Sequence, residues 1–263
     1  MPLSTPSFRM HGLPIALALA LPVSGVQAQE DALSLESAPT EQAAAPRNTR
    51  LTLEAAIGNN SLRYQSGSID TQRVSVDLLY SASLGSGLRA VVSDRLDVNH
   101  PAALGTDAAV NSLREAYLSW QAPGGDTLLD FGRINVRSGP GYGYNPTDFF
   151  RDGSLRVLNT ADPFALRQNR LGSVLLRGQR LWNGGSLSAA YSPKLADKPS
   201  ADGWDLDLGS TNNRNRALVT LGTQFSQRVN SQVLLYKEDG QSTTLGANMT
   251  ALLSDAATAH MEW

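Results

Sequence analysis

The sequence predicts an all-β protein, an antiparallel transmembrane β-barrel of about ten or more strands. Three observations predict it. Apolar and polar residues alternate with period two over long runs. Those runs last about 9 to 12 residues, enough for a tilted strand to cross a bilayer and longer than the usual 5 to 6 of strands in water. The connections alternate short with long, as periplasmic turns alternate with extracellular loops.

The amino terminus reads as an export signal over residues 1–28. Arg9 supplies its positive charge, and the apolar run LPIALALALPVSGV is too short for a comfortable membrane-spanning helix. Val26 and Ala28 are the small residues of a cleavage site after Ala28. Residues 29–48, rich in Ala, Pro, Glu and Ser, read as a periplasmic tether with little strand pattern. The barrel is expected over residues 49–263.

The first run sets Leu51, Leu53, Ala55 and Ile57 on one face against Thr52, Glu54 and Ala56. The second sets Val74, Val76, Leu78, Tyr80 and Ala82 against Ser75, Asp77, Leu79 and Ser81. The third sets Leu88, Ala90 and Val92 against Arg89, Val91, Ser93 and Arg95. The fourth opposes Ala116, Leu118 and Trp120 to Glu115, Tyr117 and Ser119. TLLDFGRINVR is the fifth, and its alternation slips at Gly132–Arg133, which predicts a bulge there. Further on, Ala217, Val219, Leu221, Thr223 and Phe225 oppose Leu218, Thr220, Gly222 and Gln224. Leu245, Ala247, Met249, Ala251 and Leu253 oppose Gly246, Asn248 and Thr250. Ten strands are counted in all, and an eleventh begins after the turn near Asp255. A weak stripe of Ala257, Ala259 and Met261 leads to Trp263, so the chain reads as the N-terminal portion of a larger barrel, with a complete ten-stranded barrel as the alternative.

Short connections are expected at 84–87, 122–126, 183–185 and 228–230, and long ones at 58–72, 98–111, 138–170 and 192–215. The link at 238–242 breaks the rule by being short where a long one is due. Sheet crosses lipid only when its backbone groups pair around a closed ring.

Composition narrows the chemistry. There is no cysteine, so disulfides, thiolate metal sites and cysteine nucleophiles are excluded. A net charge of -2 does not suggest nucleic-acid binding. Basic residues are almost all arginine, with lysine only at Lys194, Lys198 and Lys237. That bias fits either an anion-facing surface or codon usage. No cofactor, metal ligand set or catalytic group is predicted.

Arg89, Arg95, Glu115, Arg133, Arg137 and Arg177 are the candidate pore-lining residues, joined by Glu54, Asp77 and Asp130. A basic side chain facing lipid near mid-membrane costs roughly 2–4 kcal/mol, so these belong in the lumen. There they either set selectivity as rings of charge or pair with one another across strands. An enzyme is the rival reading, with Asp94, Asp97 and His100 close in sequence, but a lone loop histidine is weak support.

The stretch GRINVRSGPGYGYNPTDFFRD lacks a Gly-Lys-Ser/Thr element and a following helix, so it is no phosphate loop. It reads as a strand bending out of the wall into the longest connection. Tyr142, Tyr144, Asn145, Pro146 and Asp148 are the candidate constriction-loop residues, with Phe149 and Phe150 packing beside them. From Leu113 to Asp152 the sequence resembles a segment of porin-like outer-membrane proteins of Gram-negative bacteria: an REAY strand, a short turn, a GR strand and a loop bearing NPTD. Ser138-Gly139 stands where that family usually has Trp-Gly. The resemblance implies an outer-membrane barrel that passes solutes.

The expected function is a channel for small hydrophilic, and by its arginines anionic, solutes, with outer-membrane lipid as its surroundings. The loop at 138–170 is expected to narrow or gate the opening. An outer-membrane barrel hydrolase and a structural or adhesion barrel are the rivals. The solute and the oligomeric state are not legible.

Overall fold

The computed structural model describes residues 48–61, 68–102, 107–141, 145–157 and 163–263. The expected signal and nearly all of the tether lie outside these. Eleven strands form one antiparallel sheet in strict sequence order. They are β1 (Asn48–Ser61), β2 (Ser68–Gly85), β3 (Leu88–His100), β4 (Ala109–Gln121), β5 (Thr127–Ile134), β6 (Ser173–Trp182), β7 (Gly185–Ser192), β8 (Arg216–Ser226), β9 (Val229–Glu238), β10 (Thr244–Ser254) and β11 (Ala257–Glu262). Two short helices, α1 (Pro163–Gln168) and α2 (Leu208–Thr211), sit in the long connections. Each strand pairs with its sequence neighbour, and β1 and β11 are the edges of the sheet.

The register carries the alternation across the sheet. Leu53 faces Val76, which faces Leu96, and Leu187 faces Leu221, which faces Val233. Apolar rows therefore share one face. That face is exposed: Ile57 is 72% accessible, Phe131 63% and Leu245 55%. The opposite face is buried and polar, with Ser75, Arg95, Asp97, Asp130, Gln232, Asn248 and Thr250 each below a tenth exposed. This reverses the arrangement of a water-soluble sheet, where burial of apolar surface drives folding. Asp94 breaks the apolar face at mid-strand, between Leu78 and Leu113, and its Oδ1 is buried without a hydrogen-bond partner.

The chain itself covers the polar face. The connections 135–172 and 193–215 fold onto it, and the buried apolar cluster lies where they do. Ile134, Val136, Phe150, Leu175, Ala190, Leu218, Leu234 and Tyr236 form that cluster. Phe149 stacks on Tyr236 with ring centroids 4.6 Å apart, and Phe150 meets the same ring edge-on at 6.1 Å.

Three expectations are corrected. The first connection shrinks from 58–72 to 62–67, because β1 and β2 continue their ladder past the apolar band; Asn59 donates to Asp70 at 2.6 Å there. The connection at 98–111 likewise shortens to 101–108. The slip at Gly132–Arg133 is not a bulge, since Arg133 pairs in unbroken register with Ala116 and Val174. Hydropathy changes there because the inner side of β5 passes under the long connection and becomes core. A true bulge lies in β4, where the register shifts between Ser93 and Asp94 and Arg114 is the extra residue.

Gly132 holds φ at +135°, and a Cβ there would stand 2.7 Å from the Cα of Tyr117. Gly132→Ala is expected to cost about 1–3 kcal/mol through backbone strain alone. Chemical unfolding of the folded barrel checks it, and a cost below about 0.5 kcal/mol, the usual range of neutral substitutions, would refute it.

Candidate functional site

The buried face holds two kinds of charge cluster. The first spans β1 to β4. Arg95 Nη2 donates to Glu54 at 2.7 Å, its Nε to Asp97 at 3.1 Å, and its Nη1 lies 3.5 Å from Asp77. Arg114 Nη2 donates to Asp77 at 2.7 Å and its Nη1 to Asn169 at 2.8 Å. Arg73 lies 3.7 Å from Glu54, and Ser75 donates to Asp97 at 2.5 Å. Three guanidiniums thus answer three carboxylates. The β4 bulge turns Arg114 onto this face beside Glu115, which is why two successive charged residues share one side.

The second kind lies where the long connections meet β8 to β11. Arg170 donates to Asp148 at 2.5 Å, and Arg167 Nε stands 3.9 Å from the same carboxylate. Arg214 donates to Glu238 at 2.6 Å, and Arg216 stands 3.7 Å from it, its guanidinium 5.9 Å over the Phe150 ring. Here four guanidiniums share two carboxylates. Arg216 is 3% exposed, and its Nε and Nη1 have no hydrogen-bond partner.

The NPTD stretch has a physical role at each polar position. Asn145 Nδ2 donates to the carbonyls of Ser138 and Gly141, at 2.8 and 2.9 Å. Arg167 donates to the carbonyls of Ser138, Gly139 and Gly141 at 3.0, 2.7 and 3.1 Å. Thr147, fully buried, donates to Asn248 Oδ1 at 2.7 Å on β10. Asp148 receives Arg170. Pro146 is exposed in the turn between them.

The sequence-predicted residues separate by environment. Arg95 and Arg177 are paired, the latter to Asp130 at 2.9 Å. Glu115 accepts from the Asn135 amide at 3.2 Å. Arg89 lies half-buried opposite Ser83 and Ser119. Arg137 is exposed where the chain leaves β5. Arg133 is buried and donates to the carbonyls of Gly172 and Leu206 at 2.9 and 2.5 Å, so it ties the connections to the sheet. Asn145, Pro146 and Asp148 stand on the inserted connection; Tyr142 and Tyr144 lie outside the described residues. Asp94, Asp97 and His100 are not brought together, because Asp97 points to the buried face and the other two alternate to the opposite one. Among the described residues no group of His, Cys, Asp and Glu could hold a metal ion.

Sequence reasoning missed Arg114, Thr147, Arg167, Arg170, Arg216, Glu238 and Glu262. Arg114 carried a signal, since Arg114-Glu115 breaks strict alternation. The others meet partners from 22 to 115 residues away, as Arg170 meets Asp148 and Glu262 meets Thr147, and no local pattern marks such pairs.

No protein-family model and no curated protein matches the chain. Among solved structures it is similar to a triple mutant of the Rhodopseudomonas blastica porin, at 11% identity over 81% of this chain and 93% of that one, with a TM-score of 0.27. At that score the two chains differ too much in shape for the likeness to carry a conclusion.

Proposed function

We propose that this chain builds the wall of a β-barrel channel in the outer membrane of a Gram-negative bacterium, passing small hydrophilic solutes and favouring anions. One observation carries the reading: the exposed face of an eleven-stranded sheet is apolar and the buried face is polar. In water that arrangement leaves side chains such as Leu51, Leu53, Leu221 and Leu245 solvated at a cost of roughly 25 cal/mol per Å². In lipid the same surface is at home, and strands paired to their neighbours satisfy the backbone.

The preference for anions rests on charge. The β1–β4 cluster is balanced, whereas the Asp148 and Glu238 clusters hold two guanidiniums for each carboxylate. A positive surplus at a narrowing attracts anions and repels cations.

Full-length protein in a planar bilayer is expected to conduct, with a reversal potential in a KCl gradient displaced toward chloride. Arg214→Ala is expected to reduce that displacement. Conductance no higher than a lipid control overturns the reading. A second reading, a structural barrel with a filled interior, is favoured by the apolar packing of Phe150 and Val136 under the sheet. A folded, bilayer-inserted protein without conductance would select it.

A further inference from the structure

The connection leaving β5 crosses the buried face and is held at its far side by the last described strand. Glu262 on β11 accepts the Gly141 amide on Oε1 at 2.6 Å and the Thr147 hydroxyl on Oε2 at 3.2 Å. Gly139 sits close beneath, at φ +74°, where an added Cβ would lie 2.7 Å from Glu262 Oε2. Thr147 also bonds Asn248, which pairs across the ladder with Glu262. One carboxylate thus grips both ends of the turn from Gly139 to Thr147.

No other described contact ties the Gly141 amide to the sheet. Asn145 and Arg167 satisfy carbonyls of the same turn, but both belong to the connection itself, so they shape the turn without anchoring it. The neighbouring polar groups on β10 and β11 are Asn248 and Thr250 with His260, whose Nδ1 is engaged with the Thr250 hydroxyl at 3.1 Å. Glu262 is therefore the charged anchor on this side. Hydrogen bonds to an ionised acceptor are about twice as strong as neutral ones, so its loss outweighs that of any single neighbour.

We infer that Glu262 is a positioning residue that pins the 139–147 turn to β10 and β11 and thereby fixes the width of the solute passage. The claim about width rests on the channel reading above; the claim about pinning does not. Glutamine keeps a carbonyl oxygen for the Gly141 amide and can donate to the Thr147 oxygen, so Glu262→Gln is expected to hold the turn. Glu262→Ala cannot.

The test uses the full chain folded in lipid vesicles, with wild type, Glu262→Ala and Glu262→Gln compared. Hydrogen exchange of peptides covering Ser138–Gly141 reads the pin, and uptake of neutral sugars of graded size reads the width. Glu262→Ala is expected to exchange faster by roughly tenfold and to admit larger sugars, with Glu262→Gln close to wild type in both. A second pair, Thr147→Cys with Asn248→Cys in this cysteine-free chain, is expected to restore the wild-type size limit to Glu262→Ala when oxidised and lose it on reduction. Unchanged exchange in Glu262→Ala overturns the pin. Faster exchange with an unchanged size limit overturns the control of width. A wild-type protein that admits no sugar removes the channel reading and the width claim together, while exchange still decides the pin.

Discussion

Arg95→Ala is expected to destabilise the folded protein by about 3–5 kcal/mol, the range found when one partner of a buried ion pair is removed. Arg95 is 4% exposed and touches Glu54, Asp77 and Asp97, with Asp97 itself 1% exposed. Removing the guanidinium leaves three carboxylates facing only Arg73 and Arg114. Their repulsion adds to the cost of an unpaired buried charge. Ser75→Ala removes only one donor to Asp97 and is expected to cost about 1–3 kcal/mol. Guanidinium unfolding from lipid vesicles reads both. A loss under about 1 kcal/mol for Arg95→Ala, the value of an exposed pair, would mean that water reaches this cluster and that it is open lumen.

Leu221→Arg is expected to cost roughly 2–4 kcal/mol in lipid vesicles, as for an arginine on the lipid face of a barrel at mid-membrane. Leu221 stands mid-way along β8 on the apolar face, flanked by Leu187 and Val233, and is 48% exposed. The size of this effect separates the two solvents. On a water-facing sheet a half-exposed leucine replaced by arginine changes stability by about 0.5 kcal/mol or less. Depth gives the internal control: at Phe225, near the end of the same strand, the charge is expected to cost only about 0–1 kcal/mol. Equal and small effects at both positions would place this face in water and remove the basis of the channel reading.

The strands were legible because alternation is a local property. Leu51 to Ile57 and Val74 to Ala82 show their faces in a window of a few residues, and the ladders keep those faces together. The pore-lining expectation succeeded only in part because a strand position tells which side a charge is on and not what it meets. Arg95 and Arg177 go to carboxylates, while Arg133, one residue from the glycine that misled the phase, goes to backbone carbonyls of two connections. The lengths of the first two long connections were overestimated because polar residues such as Asn59 and Asp70 still pair in the ladder beyond the apolar band.

Period-two patterning and strand length by themselves determined an antiparallel sheet with one apolar and one polar face, since each strand needs only its own side chains to present them. Tertiary structure alone decided that the polar face is covered by residues 135–172 and 193–215, and which arginine meets which carboxylate. The physical reason is distance along the chain. A face is set by neighbours two residues apart, whereas the contacts of Glu262 with Gly141 and Thr147 span more than a hundred and exist only once the connection has crossed the sheet.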